Sequence, residues 1–79
     1  PLKTHTTISF ELPDGLKEPL LNIYDLHGNQ INQFNISGKH AQNWDGTDET
    51  GKRVKNGMYF FNISYDNHFS QFNKLLIIN

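Results

Sequence analysis

Apolar and polar residues alternate with a period of two along most of this chain. From Thr6, the run Thr-Thr-Ile-Ser-Phe-Glu-Leu sets Ile8, Phe10 and Leu12 against Thr7, Ser9 and Glu11. That is the pattern of a strand with one face in a core. Pro13-Asp14-Gly15 stops it, because Pro lacks an N–H for the ladder and Asp-Gly favours a turn. Leu20 to Leu26 reads as a second strand, with Leu21 and Ile23 facing one way and Leu20, Asn22 and Tyr24 the other. His27-Gly28-Asn29 then supplies a tight reversal. Gln30 to Ile36 returns as a third strand. Its Ile31, Phe34 and Ile36 break strict alternation, and the slip between Ile31 and Phe34 points to a bulge or to a strand that changes partner.

After a turn at Ser37-Gly38, Lys39 to Asp45 is a short strand anchored by Trp44. The polar, Gly-punctuated stretch from Asp45 to Gly57 predicts one long loop, with a tight turn at Asp48-Glu49-Thr50-Gly51 and Val54 tucked inward. Met58 to Tyr65 carries the strongest strand signal. Tyr59, Phe61, Ile63 and Tyr65 line one face; Met58, Phe60, Asn62 and Ser64 line the other. Asp66-Asn67-His68 turns the chain into a last strand, Phe69 to Ile78. No segment holds a helical period, since the one candidate, Leu16 to Leu21, is cut by Pro19. Six to seven short antiparallel strands in fewer than 100 residues argue an all-β, immunoglobulin-like β-sandwich, with a small closed barrel as the second architecture.

Composition narrows the function classes. At 79 residues the chain is read as one domain, residues 1–79, and Pro1 in place of an initiator Met points to a piece of a longer protein. With no Cys for disulfides and four scattered His, the core must come from Ile, Leu and the aromatics. A net charge of −1 leaves no basic footprint for nucleic acid or an anionic membrane. No apolar run approaches the roughly 20 residues of a membrane-spanning helix. The absence of Cys fits a bacterial secreted or surface module, although cytosolic chains share it.

Candidate chemistry is sparse. Asp45, Asp48 and Glu49 could offer oxygens to a hard cation, but the alternate acids, central Gly and distal Glu of a calcium loop are missing. Lys52, Arg53 and Lys55 would also repel a cation. The better reading has Asp45 and Asp48 accepting hydrogen bonds from loop N–H groups. His5, His27, His40 and His68 have no metal-ligand spacing, and no nucleophile elbow or phosphate-cradling loop accompanies the Ser residues. No enzyme activity, cofactor or metal is expected. Asn35-Ile36-Ser37 and Asn62-Ile63-Ser64 match the glycosylation acceptor pattern, which is short enough to arise by chance.

Two stretches suggest recognition instead. Phe60, Phe69 and Phe72 are the aromatics most prone to form a sticky surface. Lys74-Leu75-Leu76-Ile77-Ile78 is continuously apolar after its lysine, as in a strand buried on both faces or an edge strand awaiting a partner. The central, buried placement is the simpler expectation. An exposed edge would permit weak self-association or strand addition.

Together, Thr7 to Pro13, Leu21 to Gly28, and Trp44-Asp45-Gly46-Thr47-Asp48 with Gly51, Val54 and Gly57-Met58-Tyr59 form a recognisable pattern. It closely resembles the immunoglobulin-like domain of the FlgD family, the flagellar hook-capping proteins. It is equally similar to the C-terminal sorting domains of the type IX secretion system, whose tail the stretch Lys74 to Ile78 resembles. The likeness covers nearly the whole chain, and the Trp-Asp-Gly to Gly-x-Tyr segment is its most specific part. The sorting likeness implies a non-catalytic address that directs a passenger, attached N-terminally in the same chain, to the surface of a Gram-negative bacterium by way of the periplasm. Secretion-system components of the outer membrane and a sortase-like peptidase would read it. Its determinants would be Gly57, Tyr59, Lys74, Leu75, Leu76, Ile77 and Ile78. The long Trp-Asp-Gly loop leans toward the hook-capping type, which implies a structural spacer or interaction module. Folding alone also explains Gly57, through positive φ or close backbone approach, and Tyr59, through a buried ring with a bonded hydroxyl.

Overall fold

Alternation becomes structure here because two sheets enclose one apolar layer. The computed structural model describes residues 6–70 and 72–78. It contains β1 (Thr6–Ser9), β2 (Leu20–Tyr24), β3 (Gln30–Asn35), β4 (Ala41–Trp44), β5 (Gly57–Tyr65), β6 (His68–Phe69) and β7 (Asn73–Ile77), with no helix among the described residues. β1 and β4 pair into a two-stranded sheet. The other five strands form the second, in the order β3-β2-β5, with β6 and β7 following one another along the far side of β5. Every pairing is antiparallel. This is the immunoglobulin-like β-sandwich that the strand pattern predicts.

The apolar layer has two overlapping parts. Ile8, Leu21, Ile36 and Ile63 are buried together, and Ile23, Trp44, Tyr59 and Ile77 form a second group. Phe34, Phe61 and Leu75 pack against both, so the parts join. Leu21, Ile23, Ile36 and Ile77 are 0% exposed and Trp44 is 1% exposed. Each such aliphatic side chain contributes about 1.5–3 kcal/mol of burial free energy.

The broken alternation in the third strand is a bulge. Tyr24 pairs Gln30 while Ile23 pairs Asn32, leaving Ile31 as the extra residue on β3. That one-residue slip lets Ile31 join the Trp44 group while Phe34 keeps its inward aim. β5 and β6 meet through Asp66 and Asn67, both at positive φ (46° and 64°), as a two-residue hairpin with right-handed twist requires.

Two sequence expectations need correction. The first strand stops pairing at Ser9 rather than Leu12; Phe10 N–H still reaches His40 O at 3.0 Å, and Phe10 and Leu12 still pack on the core. The last strand is neither continuous nor central. Ser64 pairs Phe69 but Phe61 pairs Asn73, so the register slips by one residue and the run divides into β6 and β7. β5 is the one strand partner of β7 among the described residues. Its side chains alternate, with Ile77 buried and Leu75 half-buried while Lys74, Leu76 and Ile78 are exposed. The apolar run belongs to an edge.

Candidate interaction surface

Among the described residues only β1 and β4 form the facing layer, and no other described strand covers the outer face of the five-stranded sheet. Register pairs place Asn22 beside Asn62 and Gln33, Leu20 beside Ser64, Tyr24 beside Phe60, Phe60 beside Lys74, and Met58 beside Leu76 on this face. Its middle is a row of amides. Gln33 Nε2 donates to Asn22 Oδ1 at 2.8 Å, and Asn22 Nδ2 donates to Asn62 Oδ1 at 3.0 Å and Ser64 Oγ at 3.2 Å. Asn22 is 2% and Asn62 3% exposed. Amides hidden this well need such partners, because an unmade hydrogen bond there costs about 1–3 kcal/mol.

Beside the amide row lies an aromatic group. Phe72, just ahead of β7, meets Tyr24 of β2 edge-to-face, with centroids 5.4 Å apart and planes at 80°. β5 lies between their strands, so the contact spans its outer surface. Tyr24, Asp25, Leu26, Gly28, Phe60 and Phe72 line a shallow depression of about 330 Å³. Leu26, Phe69 and Phe72 are 65%, 69% and 61% exposed. Of the three aromatics expected on such a surface, Phe69 and Phe72 are exposed, whereas Phe60 is half-buried. Tyr24 and Leu26 escaped the sequence reading, although the period-two pattern already puts Tyr24 on the Asn22 face.

Asp25 lines the depression but is committed to the β2–β3 turn. Its Oδ1 accepts from the N–H groups of His27 and Asn29, both at 2.9 Å, and its Oδ2 from Asn29 Nδ2. The Asn29 backbone bond leads in holding this carboxyl below its usual range. The 45–56 loop uses its acids in the same way. Asp48 Oδ1 accepts from Thr50 Oγ1, Thr50 N and Lys52 N, while Gly51 N–H closes the predicted turn onto Asp48 O. Asp45 Oδ1 takes the Thr47 hydroxyl at 2.6 Å. Hydroxyl bonds from Thr50 and Thr47 are the leading causes that lower the two carboxyls. Among the described residues no three His, Asp or Glu side chains gather as a metal site. Thr47 O ties the loop to the core, accepting from Trp44 Nε1 at 2.8 Å and Asn32 Nδ2 at 2.9 Å. A Cβ on Gly46, at φ 79°, would lie 2.9 Å from Arg53 Nη1, whose guanidinium donates to Asp45 O.

The resemblance-derived positions divide between core and edge. Gly57 opens β5 at φ 150°, where an added Cβ would meet nothing within 4 Å, so backbone conformation and not close approach calls for Gly there. Tyr59 is 8% exposed, packs edge-to-face on Trp44 at 5.6 Å, and donates its hydroxyl to Lys55 O at 2.6 Å. Burial, with the Asp25 charge adding to it, pushes the Tyr59 phenol up. Leu75 and Ile77 join the core; Lys74, Leu76 and Ile78 face outward. Gly57 and Tyr59 meet Ile77 and Leu75 directly across β5 and β7, so these positions form one contiguous patch. The exposed glycosylation-pattern Asn35 accepts from Ser37 N–H, while Asn62 is buried in the amide row.

Two antiparallel sheets around one apolar layer, with no helix among the described residues, define the class: an all-β, immunoglobulin-like domain. A family model for the FlgD Ig-like domain matches residues 2–68, and the chain belongs to that family. The crystal structure of FlgD from P. aeruginosa is similar at 25% identity with a TM-score of 0.66, over 92% of this chain and 60% of that one. The chain thus spans under two-thirds of that protein. No curated protein matches it.

Proposed function

We propose that the chain is a non-catalytic immunoglobulin-like interaction and spacer module of a larger protein, of the hook-capping type. The observation that carries this reading is the FlgD Ig-like family match across residues 2–68, which includes the Trp44 loop and all of β5. The structure supports it in two ways. The acids of both polar turns are occupied by their own backbone and hydroxyl groups, and the outer sheet face presents side chains suited to contact. In such a module the apolar layer fixes the shape, and the exposed face supplies the contact. Deleting residues 1–79 from the parent protein should abolish its assembly with neighbouring subunits while any catalytic activity elsewhere in the parent persists. Unchanged assembly in the deleted parent, measured by co-sedimentation, refutes the reading.

A second reading is favoured by one observation, the apolar edge strand β7. As a type IX sorting domain the chain would carry an N-terminal passenger through the periplasm to the cell surface. Outer-membrane components and a sortase-like peptidase would read Gly57, Tyr59 and Lys74 to Ile78. β7 lies beyond the stretch that the FlgD family model matches, so the family supplies no argument for this tail. Fusion to a reporter in a host with that secretion system separates the readings. The sorting function requires that removal of residues 74–79 stop surface delivery.

A further inference from the structure

We infer that the outer face of the five-stranded sheet packs against the same face of a second copy of this chain, about a two-fold axis that runs along the strands between β5 and β7. This rests on the reading of that face as a contact surface and names what it contacts. Exposed apolar side chains gather there. Leu26, Met58, Phe69, Phe72 and Leu76 are between 41% and 69% exposed. Register sets Met58 beside Leu76 and Phe69 beside Ser64 on the outer face, while Leu26 and Phe72 line its depression. Among the described residues, neither the β1–β4 sheet nor the 45–56 loop exposes a large apolar side chain to that degree. Exposure concentrated on one face marks an interaction surface.

Area, charge and shape say which partner fits. At about 150–250 Å² for a fully exposed aromatic, and a similar figure for Leu or Met, those fractions leave roughly 600 Å² open on each copy. That reaches the top of the roughly 300–600 Å² of the largest patch on an ordinary monomer. It is also most of the roughly 800 Å² per partner in a standard interface, and half-buried Tyr24 and Phe60 add to it. Lys74 is the one charged residue that the strand register places on this face. The partner must therefore be apolar and uncharged as well, and a second copy presents such a surface. A two-fold axis along the strands carries each position onto its register mate. Leu76 of one copy then faces Met58 of the other, and Lys74 faces Phe60. Leu76 enters the 330 Å³ depression beside Phe60, while its own depression receives Leu76 of the second copy. The Lys74 ammonium comes over the Phe60 ring, an attractive placement, instead of meeting the other Lys74. An axis across the strands through Lys74 would stack the two ammonium groups. Sheets packed face to face cross at about 30°, so contact is closest at this centre and thins outward. Because the same patch serves both copies, assembly closes at two. The apolar area falls short of a standard interface, so the dimer is weak, with Kd on the order of 0.1 mM.

Sedimentation velocity of the chain from about 10 μM to about 1 mM should show mass rising toward two copies and no further. Nuclear magnetic resonance over the same dilution should move the backbone amide signals of Met58, Phe60, Lys74 and Leu76 and leave those of Ile8 and Gln42 in place. Leu76→Asp sets a carboxylate in the apolar depression of the other copy. It should weaken association at least tenfold with an unchanged far-ultraviolet circular dichroism spectrum, and Met58→Asp makes the same test from the facing side. Association should hold or strengthen as sulfate is added, as apolar contact does. A chain that stays monomeric throughout, signal changes centred on β1 and β4, or association unaltered in both Asp variants each overturns the inference. Growth beyond two copies does so as well. A monomeric chain whose parent still loses assembly when residues 1–79 are deleted overturns the second-copy occupant alone and leaves the module reading standing.

Discussion

The two faces of the five-stranded sheet hide their residues by different means. On the inner face Leu21, Ile23, Tyr59, Ile63 and Ile77 are buried against β1, β4 and each other. On the outer face of the same strands, Asn22 and Asn62 are buried to a similar extent, but by neighbouring side chains and their own hydrogen bonds. Among the described strands a two-stranded partner sheet covers one face of a five-stranded one, and none covers the other. Apolar burial gains free energy from the area removed from water, whereas amide burial chiefly avoids a penalty. The inner face should therefore set stability, and the outer face register and contact.

The sharpest way to break this contrast is Leu21→Ala. Leu21 is 0% exposed in the middle of the inner face, and its truncation should cost about 2–5 kcal/mol in urea unfolding. A chain of 60–100 residues loses roughly 4–8 °C of Tm per kcal/mol. A cost below about 1 kcal/mol would mean that the apolar layer is not what holds the sandwich together.

Asn62→Ala measures the outer face and should cost about 1–3 kcal/mol, since Asn22 Nδ2 loses its 3.0 Å acceptor and keeps only Ser64 Oγ. The double variant with Asn22→Ala should cost less than the sum of the singles, because removing both partners leaves no orphaned group between them. Strict additivity would show that the two amides do not act as a pair.

The sequence makes these faces readable to different depths. Alternation around Ile8, Leu21 and Ile63 announces the inner face, and the slip at Ile31 announces its bulge, because both are periodicities within single strands. Asn22 and Asn62 stand 40 positions apart, and nothing local to either says that a partner lies opposite. Edge placement is equally non-local. The run from Leu75 to Ile78 has the same composition whether a strand or water lies beyond it, and only the pairing of β5 with β2 on its other side leaves β7 outermost among the described strands. Loop chemistry was more legible: Asp48 stands at the start of a Gly-terminated turn, where a carboxylate finds N–H groups within four residues.

Acid separates those turns from both faces. The carboxyls of Asp25, Asp45 and Asp48 are lowered in the fold from an ordinary value near 3.8. A depressed folded pKa adds stability that is fully present above the unfolded value and lost as pH falls through the folded one. Stability should accordingly be flat from pH 7 to about 5 and decline below about pH 4. Asp48→Asn should flatten part of that decline while lowering stability at pH 7. The Asn62→Ala cost should be the same at pH 7 and pH 5, since none of the bonded amides titrates. A pH-dependent cost in that window would tie the outer face to the turns.

The smallest effect belongs to Phe72→Ala. Its ring is 61% exposed, so little buried area is at stake, and its contact with Tyr24 is of a kind worth about 0.5–1.5 kcal/mol beyond area. That contact nevertheless reaches across β5 to β2 on the face where Asn22 and Asn62 are hidden. If the ring only covers the amide row, its removal should cost less than Asn62→Ala and should speed hydrogen exchange of the Asn22 and Asn62 side-chain amides in nuclear magnetic resonance. A loss as large as that of Leu21→Ala would make Tyr24, Phe60 and Phe72 a second apolar core. A loss near zero with unchanged exchange would leave the rings free for a partner, because a side chain that contributes nothing to the fold can be turned toward a ligand without weakening the sheet beneath it.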